Sequence, residues 1–364
     1  MKARIETARF APRARIVAIS DVHGNMDYFT HLLDKVGLTN ADELVLCGDM
    51  LEKGPESLAV LRFIMALSKK YRVRCVCGNC DGWHEEMDHP TREADDFIRR
   101  YMTCDNGSNG LLAQMCAEAH FSVSPDMDMD AMRGTLLSKF SAEFAFLRSM
   151  PHVLDTEHYT FVHGGLPEGE PETWSGWACM KNDNYLAQGR RFDKWVIVGH
   201  TPVMLYGGDT TCANPIIERE SRIISIDGGC VLKDDGQLNA LIIPCDGSED
   251  FLYTAYDGFP VRRAASAQRA GERSAYIRWG DNVVEVLERG EEFSRCRHAR
   301  TGYEMDILTK YLWEQDGVTR TNDCTDYVLP LEAGDRVSVV ELTSRGALCK
   351  HNGVSGWYFG ELAD

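Results

Sequence analysis

The chain has 364 residues, a formal net charge of -17 at neutral pH and 44% hydrophobic residues. That length suffices for two domains with a sizeable core, and the acidic balance argues against nucleic acid as a main partner, because phosphate-backbone binders carry basic contact faces. The N-terminal MKARIETARFAPRARIVAIS has no signal-type apolar stretch and no run of about eighteen apolar residues occurs, so a soluble cytoplasmic protein with no membrane contact is expected.

In chain order, RIVAIS (15–20) predicts a buried strand, MDYFTHLLDKVG (26–37) a helix with Tyr28, Leu32, Leu33 and Val36 near helical spacing, and ELVLCGD (43–49) a second strand. SLAVLRFIMALSKK (57–70) follows as a helix and YRVRCVCGN (71–79) as a third strand. This βαβαβ order marks a layered α/β domain. From about Trp83 to Pro151 the pattern is helical and less regular, as expected of an insertion or lid over the sheet edge. Strand patterns return at YTFVHGG, KWVIVGH, RIISIDGG and LNALIIP. The first domain is expected to span 1–250. Residues 251–274, with DGFPVRRAASAQRAGERS, read as a connector, and 275–364 as an all-β domain with glycine turns between its strands.

The thirteen cysteines lie mostly in apolar segments, where reduced thiols act as small buried hydrophobes. Three of them, Cys75, Cys77 and Cys80, crowd into RCVCGNCDG (74–82), and Cys77 and Cys80 form a C-x-x-C spacing. A redox role needs a helix N-terminus or an electropositive pocket, which this strand-to-loop passage does not promise. A zinc site on the three thiols lacks a fourth partner block.

Five short blocks share one place in the local pattern, directly after a buried strand: SDVHGN (20–25), GDMLEKGP (48–55), GNCD (78–81), VHGG (162–165) and VGHTP (198–202). In open α/β sheets the loops at strand carboxyl ends converge on the ligand crevice. Asp21, His23, Asp49, Asn79, His163 and His200 then form a mixed carboxylate, amide and imidazole set suited to two divalent first-row ions. Taken singly, SDVHGN is no more than a turn with a surface histidine, Gly164 and Gly165 are turn glycines, and Gly199-His200-Thr201-Pro202 is a strand exit with a capped turn; all five blocks in order argue for one site. His31, His152 and His158 have no such block and read as packing or surface residues.

These blocks resemble those of calcineurin-like metallophosphoesterases, and their GD-x-x-x-x-G, FVHGG and GHTP forms are most similar to bacterial phosphoprotein phosphatases. The resemblance covers roughly residues 14–245. It implies a layered β-sandwich flanked by helices, with Asp21 and His23 on a first ion, Asp49 bridging, and Asn79, His163 and His200 on a second. Manganese is the expected ion, with iron or zinc as alternatives. Two such ions can share a bridging water and lower its pKa toward neutrality. Asp227 of SIDGG falls at a supporting position.

The resemblance further implies a catalytic group of Asp49, Cys80, Asp81 and His84, and substrate contacts at Asn25 and Lys53. Cys80 stands where the family usually has a histidine that protonates the leaving group; His84, four residues on, is a candidate stand-in. Lys53 replaces an arginine, exchanging a two-pronged grip on phosphate for a point charge. Hydrolysis of phosphomonoesters in the manner of a Ser/Thr protein phosphatase is therefore expected, on a phosphoprotein or a small phosphoester. A phosphodiesterase or nucleotide phosphohydrolase is the alternative that Cys80 suggests, and a binding protein with a silent site the alternative of another class. The last stretch, GDRVSVVELTSRGALCKHNGVSGWYFGEL, is similar to bacterial SH3-like barrels, in which Trp357 and Tyr358 would line a peptide or protein groove or fill the core.

Overall fold

The computed structural model describes residues 1–11, 13–104 and 107–364, and the chain divides into two compact units. Unit 1 comprises Met1–Pro202, Pro215–Leu232 and Gly236–Tyr256; unit 2 comprises Val203–Asn214, Lys233–Asp235 and Asp257–Asp364.

Unit 1 begins with β1 (Ile5–Thr7) and β2 (Ile16–Ile19), then α1 (Met26–Val36), β3 (Glu43–Cys47), α2 (Ser57–Lys70) and β4 (Arg72–Val76). Five helices follow: α3 (Trp83–Asp88), α4 (Arg92–Thr103), α5 (Leu111–Glu118), α6 (Met129–Lys139) and α7 (Ser141–Ser149). Next come β5 (Val153–Asp155), β6 (Tyr159–Val162), α8 (Gly176–Met180) and β7 (Trp195–Val198). After β8 (Thr211–Cys212), which belongs to unit 2, unit 1 closes with β9 (Ile216–Glu218), β10 (Ile223–Ser225), β11 (Leu238–Ile243) and β12 (Leu252–Tyr256).

These strands form a five-stranded sheet, β12-β11-β2-β3-β4, and a six-stranded sheet, β1-β5-β6-β7-β10-β9. Period-two alternation sorts their side chains into layers. Ile16, Ala18, Val45 and Cys47 point toward Leu154, Tyr159, Phe161, Ile197 and Ile224 of the other sheet. Val17, Ile19, Leu44 and Leu46 point the opposite way, onto Phe29, Leu32 and Val36 of α1 and Leu58, Val60, Leu61 and Ile64 of α2. Val153, Val162, Val196 and Val198 back the six-stranded sheet against Cys179 and Tyr185. β2, β3 and β4 run parallel; the inner two, IVAI and ELVLC, are buried along their whole length and read as nearly continuous apolar runs, whereas β4, RVRCV, lies at the sheet edge with Arg72 exposed.

The ends of α1 follow local rules. Asn25 caps it by accepting from the Tyr28 N–H at 3.1 Å, and Gly37 ends it in the left-handed region at φ 61°. Its buried stripe is Phe29, Leu32, Leu33 and Val36; Tyr28 sits at the margin, edge-on to Tyr256. Helices α3–α7 do more than cover an edge: Ile98, Leu111, Met115, Leu136, Phe144 and Leu147 join the same core as α1 and α2.

Unit 2 is built of strands, with a six-stranded sheet, a three-stranded sheet and two two-stranded ladders. Its apolar interior is split into two clusters, one around Val337, Cys349 and Tyr358 and one around Val284, Cys296 and Ile307. The stretch 251–274 is no bare connector, since it carries β12 of unit 1 and a strand at Val261–Ala264 paired with Arg336–Thr343 in unit 2. Tyr358 is core, fully buried with its hydroxyl bonded to Ser266, whereas Trp357 is half-buried against Phe293. None of the thirteen cysteines forms a disulfide. No helix of the described residues is long and apolar enough to cross a membrane.

Candidate metal centre

The expected ligands follow the carboxyl ends of β2, β3, β4, β6 and β7, as parallel connections require. Four of them, Asp21, His23, Asp49 and His200, hold positive φ values of 58°, 49°, 50° and 67°. Left-handed backbone at non-glycine residues costs energy and persists where the surroundings enforce it, often at functional sites. Gly78 permits a close approach, because a Cβ there would run into the backbone and carboxylate of Asp49.

Asp49 lies at the centre. Its Oδ1 is 3.2 Å from His163 Nε2 and accepts the Cys80 N–H at 2.8 Å, while Oδ2 is 4.0 Å from His23 Nε2. Asp21 Oδ1 stands 3.7 Å from His23 Nε2, and both Asp21 oxygens face the His200 N–H, at 3.3 and 3.2 Å. Among the described residues, two groups have ligand atoms within 4.8 Å of one another, Asp49 with His163 and His200, and His23 with Asp49 and Cys80.

Partners outside the cluster fix which nitrogen each ring presents. His163 turns Nδ1 to the Cys47 carbonyl at 2.9 Å, His23 turns Nδ1 toward the Leu51 carbonyl at 3.4 Å, and His200 turns Nε2 to Asp183 Oδ1 at 2.7 Å. Such contacts orient metal-binding imidazoles. Two buried atoms, His23 Nε2 and Asn79 Oδ1, have no hydrogen-bond partner, and His163 Nε2 has only its 3.2 Å approach to Asp49 Oδ1. Buried polar atoms are rarely orphaned, and these converge with two carboxylates into a donor set that suits divalent cations.

The electrostatics ask for positive charge. Burial raises the Asp21 carboxyl well above its ordinary value, and Asp227 and Asp49 add to the rise. Burial opposes charge on His163, but Asp49 and Asp21 outweigh it and push the ring up to about 10. Burial also opposes ionisation of Asp49, yet His163 and His23 hold its carboxyl far below the usual range. The buried His23 and His200 are lowered, His200 to about 4 by burial and then by His163.

The remaining expected residues are placed differently. Asp81 is a brace: its Oδ1 accepts from the N–H groups of Met50 and Leu51 at 3.0 and 3.2 Å, and Oδ2 from Gly78 at 2.9 Å. Burial, then Asp49, pushes it up to about 7. His84 is buried on α3 and belongs to neither ligand group; burial lowers it to about 4, and the charges that act on it are Glu85, Arg4, Asp88 and His152. Asn25 serves as the α1 cap. Lys53 is exposed at φ 67°, and its charge acts on His23 and Cys80.

Two residues escaped the sequence reading. Asp183 sits in an irregular segment with no motif around it. Glu52, 1% exposed, accepts from Trp83 Nε1 at 2.8 Å, Tyr101 Oη at 2.8 Å and the Leu111 N–H at 2.7 Å, tying the Asp49 loop to α3, α4 and α5.

Residues 14–222 match the family model of calcineurin-like phosphoesterases, and the chain belongs to that family. It is a metal-dependent phosphoric ester hydrolase, and the family implies divalent ions at this cluster. A symmetrical bis(5'-nucleosyl)-tetraphosphatase of Salmonella paratyphi B is 27% identical over 248 residues, covering 53% of this chain and 86% of that protein. The enzyme of the same name from Buchnera aphidicola subsp. Baizongia pistaciae is 45% identical over 64 residues, 17% of this chain and 22% of that one. Among solved structures, a protein proposed to be a diadenosine tetraphosphatase aligns with a TM-score of 0.45 at 19% identity, covering 70% of this chain and 99% of its own. A Saccharomyces cerevisiae protein serine/threonine phosphatase aligns at 0.42 and 9% identity, covering 71% and 85%.

Proposed function

We propose that the chain hydrolyses a nucleotide substrate of the dinucleoside polyphosphate kind, at two divalent ions held by Asp21, His23 and Asp49 and by Asp49, Asn79, His163 and His200. The observation that carries this reading is the pair of residues after Asn79. Cys80 offers only a thiol, a weak hydrogen-bond donor, and Asp81 commits its oxygens to the backbone of Gly78, Met50 and Leu51. A serine or threonine alkoxide needs a proton as it leaves, and general acid catalysis supplies about 10²- to 10⁴-fold. A departing nucleoside polyphosphate spreads its charge over phosphate oxygens and leaves unprotonated. The activity named for the Salmonella and Buchnera relatives supports the same class.

Bound divalent ions supply Lewis-acid polarisation of a phosphoryl oxygen and a water made acidic near neutral pH. The Cys47 carbonyl and Asp183 orient His163 and His200. Asp81 locks the Gly78 loop to the Asp49 loop, and Lys53 offers phosphate oxygens a point charge.

The test is a comparison of kcat/KM for a dinucleoside tetraphosphate, bis-nitrophenyl phosphate and a phosphothreonine peptide, with Asp49→Asn as the inactive control. The nucleotide is expected to lead the peptide by at least about 10²-fold. Equal or better turnover of the peptide overturns the reading and returns the chain to phosphoprotein substrates.

A further inference from the structure

We infer that Cys80 is a metal ligand: its sulfur completes a pocket with His23 and Asp49 that takes a borderline-soft divalent ion such as zinc in preference to manganese. Ligand atoms of the three residues lie within 4.8 Å of one another, a spread that a single ion spans with small side-chain adjustments. His23 is 1% exposed and its Nε2 has no partner, so the pocket already contains a buried nitrogen in need of a cation. The backbone carrying the sulfur is fixed to the carboxylate it would share the ion with, through the Cys80 N–H to Asp49 Oδ1 at 2.8 Å. Asn79 Nδ2 lies 3.4 Å from the sulfur, a hydrogen bond that favours electron density there and leaves Asn79 Oδ1 without a partner.

The competing role for a cysteine here is packing, and its neighbours show what that looks like. Cys75 and Cys77, alternate residues along the same strand and its exit, both join the apolar core with α1 and α2. Cys80 belongs to none of the apolar clusters among the described residues; its surroundings include Asp49, Asn79, Asp81, Tyr101 and the charge of Lys53. Thiolate ligation selects zinc and other borderline ions over manganese and magnesium, which favour oxygen donors. On ligation the thiol proton passes to bulk water. A sulfur so engaged donates no proton to a leaving group, in keeping with the absent acid at this position. The inference needs the family's metal requirement and is independent of which phosphoester is hydrolysed.

The experiment uses the full chain, stripped by chelation and reloaded with cobalt(II) to two ions per chain. A sulfur-to-cobalt charge-transfer band in the near ultraviolet is expected in the wild type, absent in Cys80→Ser and retained in Cys77→Ser. In a zinc-against-manganese competition, Cys80→Ser is expected to lose zinc preference on the order of tenfold. Should Cys80→Ser fail to fold, zinc-edge X-ray absorption on the wild type decides, through a sulfur scatterer at about 2.3 Å. Two bound cobalt ions without the band, a band that survives Cys80→Ser, or a zinc spectrum of nitrogen and oxygen scatterers alone each overturns the inference.

Discussion

Glu52 offers the sharpest check on how the metal loop is held. Its carboxylate is the acceptor for three donors from three helices, Trp83 Nε1, Tyr101 Oη and the Leu111 N–H. Replacing it with alanine leaves all three without their acceptor in a buried place, and each bond to a charged group is worth about 1.5–3 kcal/mol. Against that stands the cost of burying the carboxylate, which is several kcal/mol and shows in its raised pKa, where burial outweighs the hydrogen bonds from Leu111, Tyr101 and Trp83. The balance predicts a net loss of about 3 kcal/mol, which a domain of ordinary stability survives folded. Urea unfolding followed by tryptophan fluorescence measures it. Glu52→Gln keeps one acceptor oxygen and should recover about half of the loss. A double-mutant cycle with Tyr101→Phe isolates one bond and should give a coupling of about 1–2 kcal/mol. Additive behaviour in that cycle, or Glu52→Ala within about 0.5 kcal/mol of wild type, would refute the anchoring role.

Asp183→Ala removes the carboxylate that orients His200, and should weaken one of the two metal-binding steps about 10- to 100-fold while leaving the urea midpoint alone, because the side chain is 65% exposed; chelator competition on the stripped chain separates the steps, and two unaltered affinities contradict the role. At the other end of the sheet, Asp42 accepts from Arg15 Nε at 3.1 Å, Arg15 Nη2 at 2.7 Å and the Thr39 N–H at 2.7 Å. Burial pushes its carboxyl up, but Arg15 and Thr39 outweigh it and hold the folded-state pKa below the ordinary value. Its stabilisation is therefore complete above the unfolded pKa of about 3.9 and lost as pH falls through the folded one. Asp42→Asn should cost about 1.5–3 kcal/mol at pH 7, with the gap to wild type narrowing as pH falls below about 4; a gap that does not narrow on acidification contradicts the assignment.

What was legible in the sequence was what depends on neighbours along the chain. The run Ile16–Ile19 announces a strand covered on both faces, and the GDM, GNC and VHGG turns announce themselves because sharp exits after strands need small residues and place polar ones beyond them. What was hidden depends on residues far away. β1 is three exposed residues, IET, with no apolar alternation, and is a strand because β5 pairs with it. Val261–Ala264 carries two exposed arginines and only one buried residue, Ala264, and is a strand because it pairs with Arg336–Thr343. Glu52 owes its role to partners 31, 49 and 59 residues on, and Asp183 to one 17 residues away. Asp81 matched a motif, but three backbone donors set its use, and no motif encodes those.

The same cluster that suits it to ions makes the ion-free chain pay in stability. Asp21, Asp49 and Asp227 are 1%, 3% and 0% exposed, and the charges of Asp227 and Asp49 both raise the Asp21 carboxyl after burial has done so. Asp21, His23, Asp49 and His200 add left-handed backbone, at about 1–3 kcal/mol each. Ion binding offsets this, since a ligand that binds only the folded state stabilises it by about 2.7 kcal/mol at a hundred times its dissociation constant. Asp21→Asn removes one of the mutually repelling charges and keeps the shape. In the chelator-stripped state it should therefore unfold at a higher urea concentration than wild type, while losing most of the stabilisation that zinc or manganese confers on wild type. If the stripped variant is less stable than the stripped wild type, then the hydrogen bonds to Asp21 from Ser20 and the His200 N–H outweigh the repulsion, and the carboxylates are a structural element first and an ion site second.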